Sequence, residues 1–235
     1  MVIWYAENSL LLNVGVTPEK VEVPRSLVDE EMQEKLKAMP KEYQPHAPVG
    51  PDLKWRYFWR IGPRPSNTRF KELNAEPVIP EGFSEWKETM DSWGNKMIAA
   101  IEVVAEMAAI GFGLQKDAFT SLMKLGPHLL APTGSDLQKY GQEGTIEWLT
   151  GGDCIVGMHE VVVTNRTVEA IRTAEEQKHS LWRVSSTLFA HIASDAVLKP
   201  LGHFVESPLA SKYPPLCAGE YVEQELAVIN LKGQK

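Results

Sequence analysis

Between positions 83 and 114, apolar residues return at spacings of four and three: Trp86, Met90, Trp93, Met97, Ile101, Val104 and Ala108. That is one stripe of a 3.6-residue period, and it predicts a long helix that turns the stripe to a core. Ser84 is the expected N-cap, and Gly111 with Gly113 closes the helix. A second helix is expected from Asp117 through Phe119, Leu122 and Met123 to Gly126. Upstream, Val21-Glu22-Val23 alternates like a short strand. A polar helix over 27–39 follows, opened by Ser26 or Asp29 and stopped by Pro40.

After Gly126 the pattern becomes one of strands and turns. Pro132-Thr133-Gly134-Ser135 is a turn signal. Residues 155–163 and 182–192 read as strands, with Asn165 turning the chain after the first. Residues 218–231 form a closing amphipathic helix with Tyr221, Val222, Leu226 and Ile229 on one side. Between 40 and 80, Pro40, Pro45, Pro48, Pro51, Pro63, Pro65, Pro77 and Pro80 exclude a long helix. Trp55, Tyr57, Phe58 and Trp59 crowd the same stretch, where a free linker would be aromatic-poor. An extended segment packing its aromatics onto the core is the expectation, with a pocket lining for Trp55 to Arg64 as the alternative. The fold class is α+β, helices first and an antiparallel sheet later. Residues 1–80 form an N-terminal strand, helix and extended region. Residues 81–235 form the helical support and sheet core, and the two are expected to make one structural unit. No internal repeat or low-complexity tract is visible.

The chain has 235 residues, 43% of them apolar and 23% charged, and a formal net charge of −7. It is long enough to bury a core without disulfides, and too apolar to be disordered throughout. An acidic chain lacks the basic face that nucleic acid requires. Cys154 and Cys217 are the only cysteines. They permit one disulfide at most, and two reduced thiols in a cytoplasmic protein are expected. No basic segment runs into a long apolar stretch near Met1, so no secretory signal is expected. The most apolar internal stretch, 97–114, carries Glu102 and Glu106, against a membrane span. Gly111-Phe112-Gly113 follows a helix and lacks a third glycine, so it is not a dinucleotide loop. No P-loop, nucleophile elbow or HExxH occurs.

From about Phe58 onward the chain resembles the iron(II)- and 2-oxoglutarate-dependent dioxygenases of the isopenicillin N synthase-like superfamily. The motifs, in order, are the segment from His128 to Leu137 (HLLAPTGSDL), that from Gly151 to Val163 (GGDCIVGMHEVVV), and that from Trp182 to Phe189 (WRVSSTLF). The closing Tyr213-Pro-Pro and the run from Ala218 to Leu226 add to them. The resemblance implies a double-stranded β-helix, a jelly roll backed by helices. It also implies Fe(II) held by two His and one carboxylate, with open positions for cosubstrate and oxygen. His159 matches the second iron-binding His, and Arg183 with Ser185 matches the family's RxS pair. Residues i and i+2 of a strand share a face. Arg183 and Ser185 can therefore both face the barrel interior, where an Arg fork and a Ser hydroxyl suit the distal carboxylate of 2-oxoglutarate.

The family's first His and its carboxylate come from an HxD or HxE motif, and none occurs in this chain. Gly144-Thr-Ile146 runs directly into Glu147-Trp148, where family members carry several strands; the pattern is that of an internal deletion. Glu160 points to the face opposite its neighbour His159. Asp153 shares parity with His159, but six residues of strand put it about 20 Å away. Glu147 approaches only if the junction folds back. Loss of central strands leaves unpaired edges and an uncovered apolar face. The chain is then either an incomplete barrel or one whose sheet edges a protein partner covers.

Three functions follow. One is an Fe(II)/2-oxoglutarate oxygenase acting on a small molecule, with His159 as metal ligand and Arg183 and Ser185 as cosubstrate clamp. Two of its three iron ligands are absent, so activity is expected to be impaired or lost, and no catalytic residue is assigned. The second is a non-catalytic, truncated relative that binds a partner or the cosubstrate. The third is an oxidase of the isopenicillin N synthase type that does not use 2-oxoglutarate. Neither membrane nor nucleic acid is an expected partner.

Overall fold

A computed structural model describes residues 14–41, 44, 50–52, 54–136, 140–141, 160–161 and 165–229. Its centre is an antiparallel sheet in the order β1-β2-β3-β6: β1 Gly15–Thr17, β2 Trp55–Arg60, β3 Leu129–Asp136 and β6 Trp182–Phe189. The aromatic run of the proline-rich stretch becomes β2, with Phe58 and Trp59 buried. Two strands thus precede the long helix, so the order is strand-helix-strand rather than helices first.

The long helix, α2 (Trp86–Gly111), crosses one face of this sheet. Glu85 occupies its N-cap position without a side-chain capping bond, so Ser84 does not cap it. Trp59, Ile61, Met90, Leu130 and Leu188 form the core between helix and sheet, with Trp86, Met97 and Ile101 packed around them. The predicted stripe is partly displaced: Trp93 is 49% exposed and Val104 64%. Gly94 and Ala109 are buried instead. Gly94 lets the backbone of α2 come close to Ile61, just past the end of β2. The outer side of α2 exposes Val103, Val104, Met107 and Ile110. Beyond the sheet, Ala109 packs with Phe119, Leu198 and Ala218 in a second core.

The polar helix appears as α1 (Glu30–Ala38), and Asp29 caps it by accepting the Met32 N–H at 3.0 Å. The strand before it is β1, not Val21-Glu22-Val23. There the Glu22 side chain turns inward, and the Val23 N–H donates to Ile229 O. The helix near Asp117 shortens to α3 (Thr120–Met123).

Pro132 to Ser135 is not a turn but the middle of β3, with neighbours on both sides. The β2–β3 pairing skips from Arg56–Thr133 to Trp59–Leu130. A residue without an N–H fits that interruption. Short strands β4 (Tyr140–Gly141) and β5 (Glu160–Val161) pair with each other. Of the strand expected over 155–163, only Glu160–Val161 lies within the described residues. Asn165 does not merely turn the chain; it opens helix α4 (Asn165–Glu176), where Val168, Ile171 and Ala174 recur at helical spacing. Strands β7 (Val197–Leu198) and β8 (Leu216–Cys217) pair ahead of α5 (Ala218–Val228), the expected closing helix.

Candidate functional site

Two marks orient β6. Leu188 is buried against α2, and Trp93 Nε1–H donates to Ser186 Oγ at 3.2 Å. Even-numbered residues of β6 therefore face the helix. By the alternation of a strand, Arg183, Ser185, Thr187 and Phe189 face the other way. The edge contact between Phe189 and Phe58, ring centroids 6.0 Å apart, lies on that opposite face.

The register defines what else shares it. Ser135 stands opposite Arg183, Thr133 opposite Ser185, and Arg56 opposite Thr133 on the other side. A lateral row of Thr17, Arg56, Thr133 and Ser185 thus crosses all four strands on the face away from α2. Arg183 is exposed and Ser185 half-buried, which leaves the guanidinium fork available to a carboxylate.

Arg56, also in this row, is committed elsewhere. It is buried, ion-paired with Glu22, and stacked over Phe58 at 4.6 Å. Its Nε–H finds no hydrogen-bond partner among the described residues. Lys54 joins the same group through Glu22 at 3.2 Å and Asp52 at 2.5 Å. Burial pulls the Arg56 pKa down, against the opposing pull of Glu22 and Asp52. The four charges balance, so this end of the row is a closed ionic knot beneath β1 and β2.

A second polar cluster lies at the other end of the sheet. Arg60, buried on the same face as Arg56, donates to Pro63 O at 3.2 Å and Asn74 Oδ1 at 3.1 Å. Asn74 in turn donates to Ser194 Oγ at 3.3 Å. His128 Nδ1 accepts the His191 backbone N–H at 3.0 Å. Burial first, then the Arg60 charge, lowers His128 to about 4. Burial, then His128 and Arg60, lowers His191 to about 4. Both shifts favour the neutral imidazole at pH 7.

His159 lies outside the described residues. Its neighbour Glu160 pairs with Gly141 in β4. Among the described residues, no group of three or more His, Cys, Asp or Glu side chains could hold a metal ion. The described donors by themselves make no iron centre. Cys217 carries a free thiol that donates to Ser194 O at 3.2 Å. No helix among the described residues is long and apolar enough to cross a membrane.

Arg183 and Ser185 share one face of β6, and Thr133 joins that face from β3, although Pro132 and Gly134 around it read as a turn. Ahead of the proline only Leu129, Leu130 and Ala131 form an apolar run, too short to mark the whole strand.

The fold is similar to those of solved proteins that include a member of the 2OG-Fe(II) oxygenase family. A protein from Caulobacter crescentus assigned to the 2OG-Fe(II) oxygenase family superposes with a TM-score of 0.59 at 17% identity, over 95% of this chain and 96% of that one. A full-length Neurospora crassa protein is similar in its complex with alpha-KG, with a TM-score of 0.58 at 15% identity, over 95% of this chain and 78% of that one. In its complex with alpha-KG and thymine the TM-score is 0.59, again at 15% identity, over 96% of this chain and 76% of the fungal one. At these identities the likeness is one of fold. No protein-family model and no curated protein sequence matches the chain.

Proposed function

We propose that this chain is a member of the Fe(II)/2-oxoglutarate oxygenase family that keeps the cosubstrate clamp and has lost turnover. The observation that carries this reading is the common face of Arg183 and Ser185, turned away from α2 on strand β6. An Arg fork there takes two oxygens of the distal carboxylate, and the Ser185 hydroxyl donates a third bond. The fold shared with the Neurospora crassa protein, which is solved with alpha-KG, supports the choice of ligand. Iron and oxygen would supply the oxidising power in an intact relative. With no HxD or HxE in the chain, the donor set for that centre is incomplete, and no catalytic step is derived through it. The role that follows is binding of a 2-oxo dicarboxylate, or of a protein partner over the edges of the sheet, without oxidation of a small-molecule substrate.

The test is a titration of the full chain with 2-oxoglutarate, with and without Mn(II), beside a succinate-release assay with Fe(II). Binding that R183A abolishes, without succinate, is the expected result. Iron-dependent succinate release overturns the loss of turnover, and absence of binding overturns the clamp.

A further inference from the structure

We propose that the free edge of β6 docks a second copy of this chain, paired antiparallel about a two-fold axis at Ser186. The inference rests on the part of the proposed function that puts a protein over the sheet edges, and not on the clamp. Strand β6 has a sheet neighbour on one side only among the described residues. The Ile61 N–H donates to His128 O and extends the β2–β3 register. Hydrogen-bonded pairs alternate along an antiparallel ladder. Even-numbered residues of β3 therefore turn their backbone groups to β2, and odd-numbered ones turn theirs to β6. The odd residues of β3 stand opposite Arg183, Ser185, Thr187 and Phe189. The N–H and C=O groups of Val184, Ser186 and Leu188 consequently point outward along the edge. Trp182 points the same way, but its N–H already donates to Ser180 Oγ at 3.2 Å.

A second copy fits because the edge is its own complement. A two-fold axis perpendicular to the sheet pairs residues of equal parity, so outward-pointing groups meet outward-pointing groups. Centred on Ser186, it sets Ser186 opposite Ser186, Val184 opposite Leu188, Ser185 opposite Thr187 and Arg183 opposite Phe189. Val184, Ser186 and Leu188 then all gain main-chain partners. Arg183 is the only charged residue of β6, and in this register it does not face its own copy, which like charges would oppose. The strand holds no Lys, Asp, Glu or Pro, the residues that guard an edge against pairing. Apolar surface flanks the axis on the α2 side. Val184 is 71% exposed and Trp182 55%, and the exposed Trp93 reaches Ser186 Oγ with its indole N–H. Main-chain bonds along the edge are thus backed by side chains on one face, as in other strand-addition contacts.

The experiment is sedimentation velocity on the full chain across the micromolar range, with V184P, V184K and V103K beside it and circular dichroism to check that each folds. The parent should show a monomer–dimer equilibrium. V184P removes an N–H that points away from β3, so the sheet within the chain keeps its bonds. It should weaken the dimer about tenfold or more, and V184K should do the same by placing lysine on the edge. V103K alters the exposed outer side of α2 and should leave the dimer intact. If V184P does not fold, V184K is read in its place. A parent that stays monomeric overturns the inference, because the edge is then covered by this chain itself or by a different protein. So does a dimer that V184K leaves intact or that V103K dissociates, and so does open-ended growth beyond the dimer. A failed 2-oxoglutarate titration removes the clamp and leaves this result standing.

Discussion

Ile61 packs into the space where a Gly94 side chain would be. A Cβ on Gly94 would lie 2.3 Å from Ile61 Cδ1 and 2.6 Å from Cγ1. Ile61 is only 1% exposed and sits in the core with Trp59 and Met90, so it has no room to retreat. Gly94→Ala gains about 1 kcal/mol of helix propensity. The overlap costs about 1–3 kcal/mol. Net destabilisation is expected, read as a lower urea midpoint with an unchanged slope. A midpoint at or above the parent's would show that α2 shifts outward freely.

Trp59 is fully buried, and its indole N–H donates to Asp91 Oδ1 at 2.8 Å. Asp91→Ala strands that N–H in the core, at a cost of about 1–3 kcal/mol. Asp91→Asn keeps an acceptor and should lose distinctly less. The exposed Lys87–Asp91 pair at 2.6 Å contributes little in either case. Equal losses for the two variants, measured by chemical denaturation, would assign the effect to charge instead.

Stability should fall on the acid side of neutrality. His128 and His191 are held to about 4 in the folded chain, against about 6.5 when unfolded. Between those values the unfolded chain binds more protons, so stability is full above about pH 6.5 and declines as pH drops towards 4. His128→Asn keeps an acceptor for the His191 N–H and removes one titrating group. Its thermal midpoint should therefore change less between pH 7 and pH 5 than the parent's. An identical slope would remove His128 from the account.

Arg183→Lys tests the shape of the clamp rather than its charge. Lysine offers a point charge in place of a planar fork, so 2-oxoglutarate affinity should drop about tenfold or more. Arg183 is exposed, so the thermal midpoint should stay put. Parent-like affinity in the lysine variant would mean that the site reads charge alone.

Much of the fold was legible in the chain, and the failures have definite causes. The caps and stops around α1 are local chemistry, and Asp29 does what an aspartate at that place does. Most of the α2 stripe packs as its period predicts, with Trp86, Met90, Met97, Ile101 and Ala108 on the cores; Trp93 and Val104 are exposed instead, and Gly94 and Ala109 are buried without registering as hydrophobic bulk. The strand across Pro132 was hidden because pairing to β2 and β6 overrides a local turn signal. The sequence predicts a strand over 182–192, yet β6 ends at Phe189: the His191 N–H leaves the ladder for His128 Nδ1, a partner distant in sequence. At the site, Arg183 and Ser185 were visible as an i, i+2 pair. Thr133 shares their face only through the cross-strand register, which no spacing within one segment encodes.

The strand order β1-β2-β3-β6 also governs how the chain reaches its native state. Strand β3 cannot pair with β2 until α2 and α3, which lie between them in sequence, have been gathered in. Strand β6 must wait for a further long excursion. Each pairing closes a large loop before its contacts repay the entropy, the signature of high contact order. Refolding should therefore be slow compared with a helical protein of this size. During that delay Trp55, Phe58 and Trp59 are open to other chains, so recovery on dilution from denaturant should improve as the protein concentration is lowered.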